Sequence, residues 1–285
     1  MEKRNVFEIA DLRCAYSNRK DRVVLEVKQL EIPQGEVVYL VGPSGIGKST
    51  ILEALGMMNQ TVMPGCGKFL YKGQDMSHWW EQSDSAMSEF RRNEFSFIFQ
   101  SNNLMNNFNA WENVKSTVLF QGMTDQEAEK LKAGVFEAVD IKPDKWDVPV
   151  SNLSGGQRQR LAFARAIMPK FSVLFGDEPT GNLDPSTADK IMGRLRHILD
   201  TKEDATAIIV SHDMTLATRY ADRIVRFHKC SLGSKGDDDE EQVYGLIDEN
   251  SVYVRKADDA WENHDGSEQY TRESLALHLS QTINS

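Results

Sequence analysis

The sequence predicts an α/β fold with a mainly parallel sheet, and three observations carry that reading. Strand-like runs at Ser172–Phe175 and Thr206–Val210 alternate with helical stretches at Gly155–Met168 and Pro185–Leu199, the rhythm of strands joined by crossover helices. Glu36–Val41 is a continuous apolar run, as expected of a strand covered on both faces. That run ends in a glycine-rich turn and is followed by a helical stretch, Ser49–Met58.

The other elements follow in order. Val6–Ile9 and Val23–Val27 are short and β-branched, and read as strands. The stretch from about residue 101 to 153 is dominated by helical patterns, notably Ala110–Gln121 and Asp125–Val139, and reads as a helical insertion. After Cys230 the composition shifts. Ser231–Gly236 is small and flexible, and Asp237–Glu241 is an acid run expected to form a solvated loop. Gln242–Ile247 and Ser251–Arg255 read as a hairpin turning at Asp248–Asn250, and the polar last thirty residues read as a weak terminal helix. The expected division is a core over residues 1–232 and an acidic extension over 233–285.

Charge supports that division. The chain has 33 Lys and Arg against 43 Asp and Glu, a net charge of -10. Residues 233–285 hold 13 acids and 4 bases, which leaves the first 232 residues close to neutral. A neutral body without a basic stripe has no electrostatic footprint for nucleic acid. Cys14, Cys66 and Cys230 are odd in number and far apart, which argues for reduced thiols and against a zinc or redox motif. No apolar run approaches the roughly 18 residues of a membrane span, and Met1–Arg4 is not followed by the apolar core of a signal peptide. Any membrane role is expected to come through a partner.

The chemistry is carried by short motifs. Gly42-Pro43-Ser44-Gly45-Ile46-Gly47-Lys48-Ser49-Thr50 fits the P-loop pattern and lies between a buried strand and a helix, as that pattern requires. Its glycines let successive N–H groups point at phosphate oxygens, Lys48 would bridge the terminal phosphates, and Ser49 would place its hydroxyl on Mg2+. Ser172–Phe175 leads through Gly176 into two adjacent acids. Asp177 would take the metal and Glu178 the attacking water, since neighbours at a strand end point in different directions. In Leu153-Ser154-Gly155-Gly156-Gln157, Ser154 can cap a helix whose paired glycines leave its N-terminus open. One P-loop already holds a nucleotide's phosphates, so a second anion-binding helix start points to two chains sharing each nucleotide.

Taken together, these motifs resemble the nucleotide-binding subunits of ABC ATPases over about residues 5–228. The resemblance implies a P-loop NTPase core with an antiparallel β subdomain and a helical subdomain insertion. It also implies roles for further residues. Gln100 matches the glutamine that touches Mg2+ and links the core to the helical subdomain, Gly181-Asn-Leu-Asp184 matches the D-loop, and His212 matches the switch histidine near the γ-phosphate. Tyr16 is placed like the aromatic that stacks on adenine; a sheet-edge cap is its other reading. His212 alone would read as a packed or surface histidine, and its place in the motif order favours the switch. Trp79-Trp80 reads as packing against the body or as a subunit contact.

The family likeness implies an ATPase in which two copies close head to tail around two ATP with Mg2+, each nucleotide between one P-loop and the other chain's Ser154-Gly155-Gly156-Gln157. Asp177–Asp184 and Gly42–Gly45 are most similar to the lipoprotein-release, macrolide-export and cell-division group, whose members work with membrane subunits. Here the membrane subunit is expected to be a separate permease, with the chain cytoplasmic and peripheral on the inner face of the cell membrane. The sequence departs from that group in the asparagine-rich Asn102–Asn109, in His228-Lys229-Cys230 where an acidic-glycine turn is usual, and in the length of the tail. The rival is a soluble ABC ATPase acting on nucleic acid or the ribosome. It would bring coiled coils, zinc-ligand cysteines, a basic surface or a second core, and the sequence has none. Two readings of the tail stand side by side: a mobile solvating segment, or a docking and regulatory element.

Overall fold

The computed structural model describes residues 4–16, 22–65, 67–202, 204–232 and 242–283. In chain order the elements are β1 (Asn5–Cys14), β2 (Leu25–Pro33), β3 (Val37–Val41), α1 (Lys48–Leu55), β4 (Lys68–Tyr71), β5 (Gln74–Asp75), α2 (Asp84–Glu94), β6 (Phe95–Ile98), α3 (Ala110–Phe120) and α4 (Asp125–Ala138). They continue with α5 (Gly155–Ile167), β7 (Val173–Asp177), α6 (Pro185–Thr201), β8 (Thr206–Val210), α7 (Met214–Tyr220), β9 (Arg223–Arg226), β10 (His228–Leu232), β11 (Gln242–Ile247), β12 (Val252–Ala257), β13 (Ala260–Asn263), β14 (Gln269–Thr271) and α8 (Arg272–Ile283). The chain divides into two compact units, residues 1–87 with 210–285, and residues 88–209. The expected boundary at residue 232 does not coincide with this division: the described residues of the extension, 242–283, belong with the first unit.

The first unit contains two sets of strands. One is mostly antiparallel, in the order β10-β11-β2-β1-β4-β5. Its spine is the long β1–β2 ladder, in register from Phe7 opposite Ile32 to Cys14 opposite Leu25. The other set runs β14-β13-β12-β9-β3. Here β3 and β9 are parallel, with Tyr39 opposite Ile224 and Leu40 opposite Val225. All five residues of β3 are buried, as its uninterrupted apolar run requires. Glu36, at the foot of β3, pairs with Arg223 at 3.1 Å, and Asp222 accepts the Val37 N–H at 2.8 Å, so the β3–β9 register is tied at its start.

Within residues 88–209, β6 and β7 are parallel and β8 lies next to β7. Aromatic rings fill one layer: Phe95 meets Phe175 edge-on at 5.2 Å and Phe97 stacks on Phe175 at 5.2 Å. The expected helical insertion is present as α3 and α4 ahead of α5. Trp111, Phe136 and Trp146 form its core, and Lys132 lies over both indoles. Helix α2 is mostly polar: of its eleven residues Met87 alone is buried, and Phe90, three residues on, meets Phe95 edge-on at 5.3 Å.

The extension differs from the expected tail. Gln242–Ile247 and Ser251–Arg255 do not form a hairpin with each other: β11 joins the first set, antiparallel to β10 and parallel to β2, while β12 joins the second, antiparallel to β9. The turn at Asp248–Asn250 is a crossing between sheets, capped by Ser251, which donates to the Asp248 carboxylate at 3.1 Å. The physical reason is burial. Ile247 is buried in the first set and Val252, Tyr253 and Trp261 in the second, and all are nearly inaccessible to solvent. Helix α8 packs on α7 through Leu275 and Leu279, one turn apart and both fully buried. A mobile solvating segment therefore does not describe residues 242–283. Asp237–Glu241 and Cys66 lie outside the described residues. Cys14 and Cys230 carry free thiols.

Candidate active site

The predicted site residues fall on both compact units. In the first, β3 delivers the chain into the loop Gly42–Gly47. Gly47 occupies the left-handed region, φ 101°, and serves as N-cap of α1, which has neither a side-chain cap nor an acid in its first turn. A side chain at Gly47 would be strained, and its Cβ would sit 3.2 Å from that of Leu25. The uncapped N–H groups of α1 thus keep their full partial positive charge at the mouth of the loop.

Lys48 is buried, and its ammonium donates to the carbonyls of Gly42 at 2.8 Å and Pro43 at 2.7 Å. These bonds curl the loop around the charge, which could not be buried without them. Ser44, Gly45 and Ser49 are exposed, whereas Ile46 and Thr50 are buried. Tyr16 lies beside α1: its hydroxyl is 3.0 Å from Thr50 Oγ1, and its ring remains 42% exposed. That anchor places an open aromatic face next to the loop. His212 is exposed in the turn between β8 and α7. The turn is pinned on both sides, because Ser211 N–H bonds the Leu40 carbonyl at 3.4 Å and Asp213 caps α7 by accepting the Leu216 N–H at 2.9 Å.

In residues 88–209, β7 carries Asp177 at its C-terminal end, half-buried. Glu178 follows with φ 47°, a left-handed conformation that costs a non-glycine residue about 1–3 kcal/mol. Its carbonyl accepts the Gly181 N–H at 3.1 Å, so a tight turn holds the strain. Gln100 is exposed, two residues beyond β6. Asn102 and Asn103 are both left-handed, at φ 61° and 45°. Two consecutive left-handed positions explain the asparagines, which tolerate that region better than the apolar residues expected there. Arg165 of α5 donates to both asparagine carbonyls, at 2.7 and 2.5 Å, and burial lowers its pKa.

Helix α5 starts with a full capping box: Ser154 Oγ accepts the Gln157 N–H at 3.2 Å, and Gln157 Oε1 accepts the Ser154 N–H at 2.8 Å. A Cβ at Gly155 would meet nothing within 4 Å, and one at Gly156 would reach Leu183 at 3.7 Å, so the helix start is open. Asp184 caps α6 by accepting the Thr187 N–H at 3.0 Å, and hydrogen bonding to the Thr187 side chain, with this N–H second, holds its carboxyl below the usual range. Gln159 was not foreseen. It is fully buried, its amide donates to the Pro179 carbonyl, and its oxygen faces Asn182 at 3.4 Å. One side chain therefore ties the start of α5 to the turn after Glu178. Its only sequence signal is phase, since it shares a helix face with buried Phe163 and Ala166. Trp79 is half-buried in a single 3-10 turn.

The family model described as ABC transporter matches residues 25–181. The chain belongs to the ABC transporter family. The lipoprotein-releasing system ATP-binding protein LolD of Colwellia psychrerythraea is 37% identical over 226 residues, 77% of this chain and 82% of that protein. The macrolide export ATP-binding/permease protein MacB of Salmonella choleraesuis is 34% identical over 78% of this chain, which spans 33% of that longer protein. Among solved structures, a dimeric post-hydrolysis state of the ATP-binding cassette MJ0796 bound to ADP and Pi superposes with a TM-score of 0.67 at 27% identity, covering 77% of this chain and 93% of that one. CbiO1 from Clostridium perfringens matches in fold over 98% of this chain and 93% of its own, with a TM-score of 0.69 at 20% identity. As an ABC ATPase, the chain binds ATP and hydrolyses it to ADP and phosphate.

Proposed function

We propose that this ABC ATPase is the energy-supplying subunit of a transport or mechanotransmission complex. Two copies close head to tail around two ATP and drive a separate membrane permease from the inner face of the membrane. Among the described residues no helix is long and apolar enough to cross a membrane, which supports a separate permease chain. The relatives named for lipoprotein release and macrolide export favour an export or release process; of MacB, named as both ATP-binding protein and permease, the match spans 33%.

The observation that carries the reading is the open start of α5. The chain has an uncapped helix start at Lys48 and also a second helix N-terminus with open space at Gly155 and only Leu183 near Gly156, which is what a surface closing over another chain's nucleotide requires. In this reading Lys48 and the amides of residues 45–49 hold the phosphates, Tyr16 stacks on adenine, and Ser154, Gly155 and Gly156 close over the γ-phosphate bound by the partner copy, with Gln157 holding that helix start. Glu178 orients water, His212 contacts the γ-phosphate, and Asp184 helps to align the two copies. Ser49, Gln100 and Asp177 would hold Mg2+. Their donors are all oxygen, the set that suits this hard cation, which would neutralise phosphate charge.

Glu178→Gln tests the assignment. It removes the carboxylate that orients water while keeping the shape of the side chain, so turnover should fall by roughly 10²- to 10³-fold. Gel filtration with ATP should then show a persistent dimer. A variant that stays monomeric in ATP, or hydrolyses at the parent rate, defeats the reading. Recovery of a multi-span membrane protein with the tagged chain in detergent supports the permease, and recovery of ribosomes or DNA overturns it.

A further inference from the structure

Gly245, in the middle of β11, lies about 200 residues from the P-loop in sequence and against it in space. A Cβ built on Gly245 would fall 2.1 Å from the Ile46 carbonyl oxygen, inside any tolerable contact. The backbone of Gly245 is not left-handed, so its conformation would accept any residue; the approach of Ile46 alone demands glycine. Strand β11 is fixed independently of that contact. Gly245 pairs with Lys229 of β10 and Leu25 of β2, and its N–H donates to the Val24 carbonyl at 2.9 Å. The same Val24 carbonyl lies 3.3 Å from where a Cβ on Gly47 would be. Three backbone segments, Val24–Leu25, Ile46–Gly47 and Gly245, are thus pressed together without an intervening side chain.

The Ile46 carbonyl and the Gly47 N–H are opposite ends of one planar peptide unit. Whatever fixes the direction of the carbonyl also fixes the direction of the amide. We propose that Gly245 is a positioning residue for nucleotide binding: by holding the Ile46 carbonyl against β11, it aims the Gly47 N–H at the phosphates of ATP. The C-terminal extension is then part of the nucleotide site, although it carries none of the nucleotide motifs. This rests on the reading of Gly42–Thr50 as the phosphate loop.

The test is nucleotide affinity in the full chain. Lys48→Ala serves as the control for the loop itself: if it binds ATP as well as the parent, the phosphate-loop reading fails and Gly245 is moot. With that control lost as expected, Gly245→Ala should raise the Kd and KM for ATP roughly ten- to hundredfold, the worth of one hydrogen bond to a charged group. Turnover at saturating ATP should change less than about threefold, because the carboxylate that orients water and the histidine that contacts the γ-phosphate are untouched. A folded Gly245→Ala protein with the parent's Kd overturns the proposal, as does an equal fall in kcat and kcat/KM. A second measurement needs no variant. By reciprocity, saturating ATP should slow amide exchange at residues 243–247 of the parent protein about fivefold or more. Unchanged exchange there also overturns it, even if Gly245→Ala fails to fold.

Discussion

Helices α1 and α5, both proposed to open towards phosphate, begin in opposite ways. Helix α1 starts on a left-handed glycine with no side-chain cap, whereas α5 starts on Ser154 inside a reciprocal capping box. The difference follows from what holds each helix start in place. The start of α1 is clamped by its surroundings, through the two Lys48 bonds to loop carbonyls and the contacts of Gly47 with Val24 and Leu25. It can leave every orphan amide to the ligand. The start of α5 has open space around Gly155 and must cap itself, so Ser154 and Gln157 satisfy each other's backbone amides. A buried helix end is organised by packing, and an exposed one by its own side chains.

Several substitutions would break or sharpen this contrast, the largest effect first. Lys48→Ala removes the charge and both loop bonds, and should weaken ATP binding by about a hundredfold or more, measured by titration with a fluorescent ATP analogue. Gly155→Asp adds an acid to the first turn of α5. It should leave unfolding unchanged or raise stability by about 0.3–1 kcal/mol, yet it should abolish ATPase activity by setting a carboxylate against the partner's γ-phosphate. An active Gly155→Asp enzyme would show that α5 does not close over nucleotide. Ser154→Ala should cost about 0.5–2 kcal/mol in urea unfolding while the affinity of the isolated chain for ATP stays at the parent value.

The smallest effect lies at the other end of α5. Lys202 reaches the carbonyls of Ile167 and Pro169 at 3.3 and 3.4 Å, over the ring of Phe171, and burial pulls its pKa down to about 8 from 10.5. Between those two values the unfolded chain keeps a proton that the folded chain has shed, so stability should rise with pH across that window. Urea unfolding at pH 8 and pH 9.5 should show this gain in the parent and lose it in Lys202→Met. Equal pH dependence in both proteins would show that the carbonyls and the Phe171 ring hold the charge in place.

Much of this was legible in the chain. The strand before Gly42, the helices Ala110–Phe120 and Asp125–Ala138, the cap at Ser154 and the strand Thr206–Val210 all rest on interactions within a few residues, and local patterns report such interactions faithfully. Three things were not legible. Helix α2 carries only a short stripe, Met87 and Phe90, among polar residues. Glu178 reads as an ordinary acid until its left-handed backbone is seen. Gln159 reads as one polar residue among several until it is found buried against Pro179.

The extension marks where local pattern stops. Its strands were visible as strands, but their partners were not, because Gln242–Ile247 and Val252–Ala257 are close in sequence and their pairing is decided by edges offered far upstream, at β2 and far from it at β9. By itself, the sequence determined the family and the order of the motifs, since a P-loop or a capping box is encoded by spacing along one short segment. Only the tertiary structure decided that residues 242–283 are folded into the first unit and that Gly245 bears on Ile46. That contact depends on two backbones meeting across two hundred residues, and glycine marks such a meeting by the side chain it lacks.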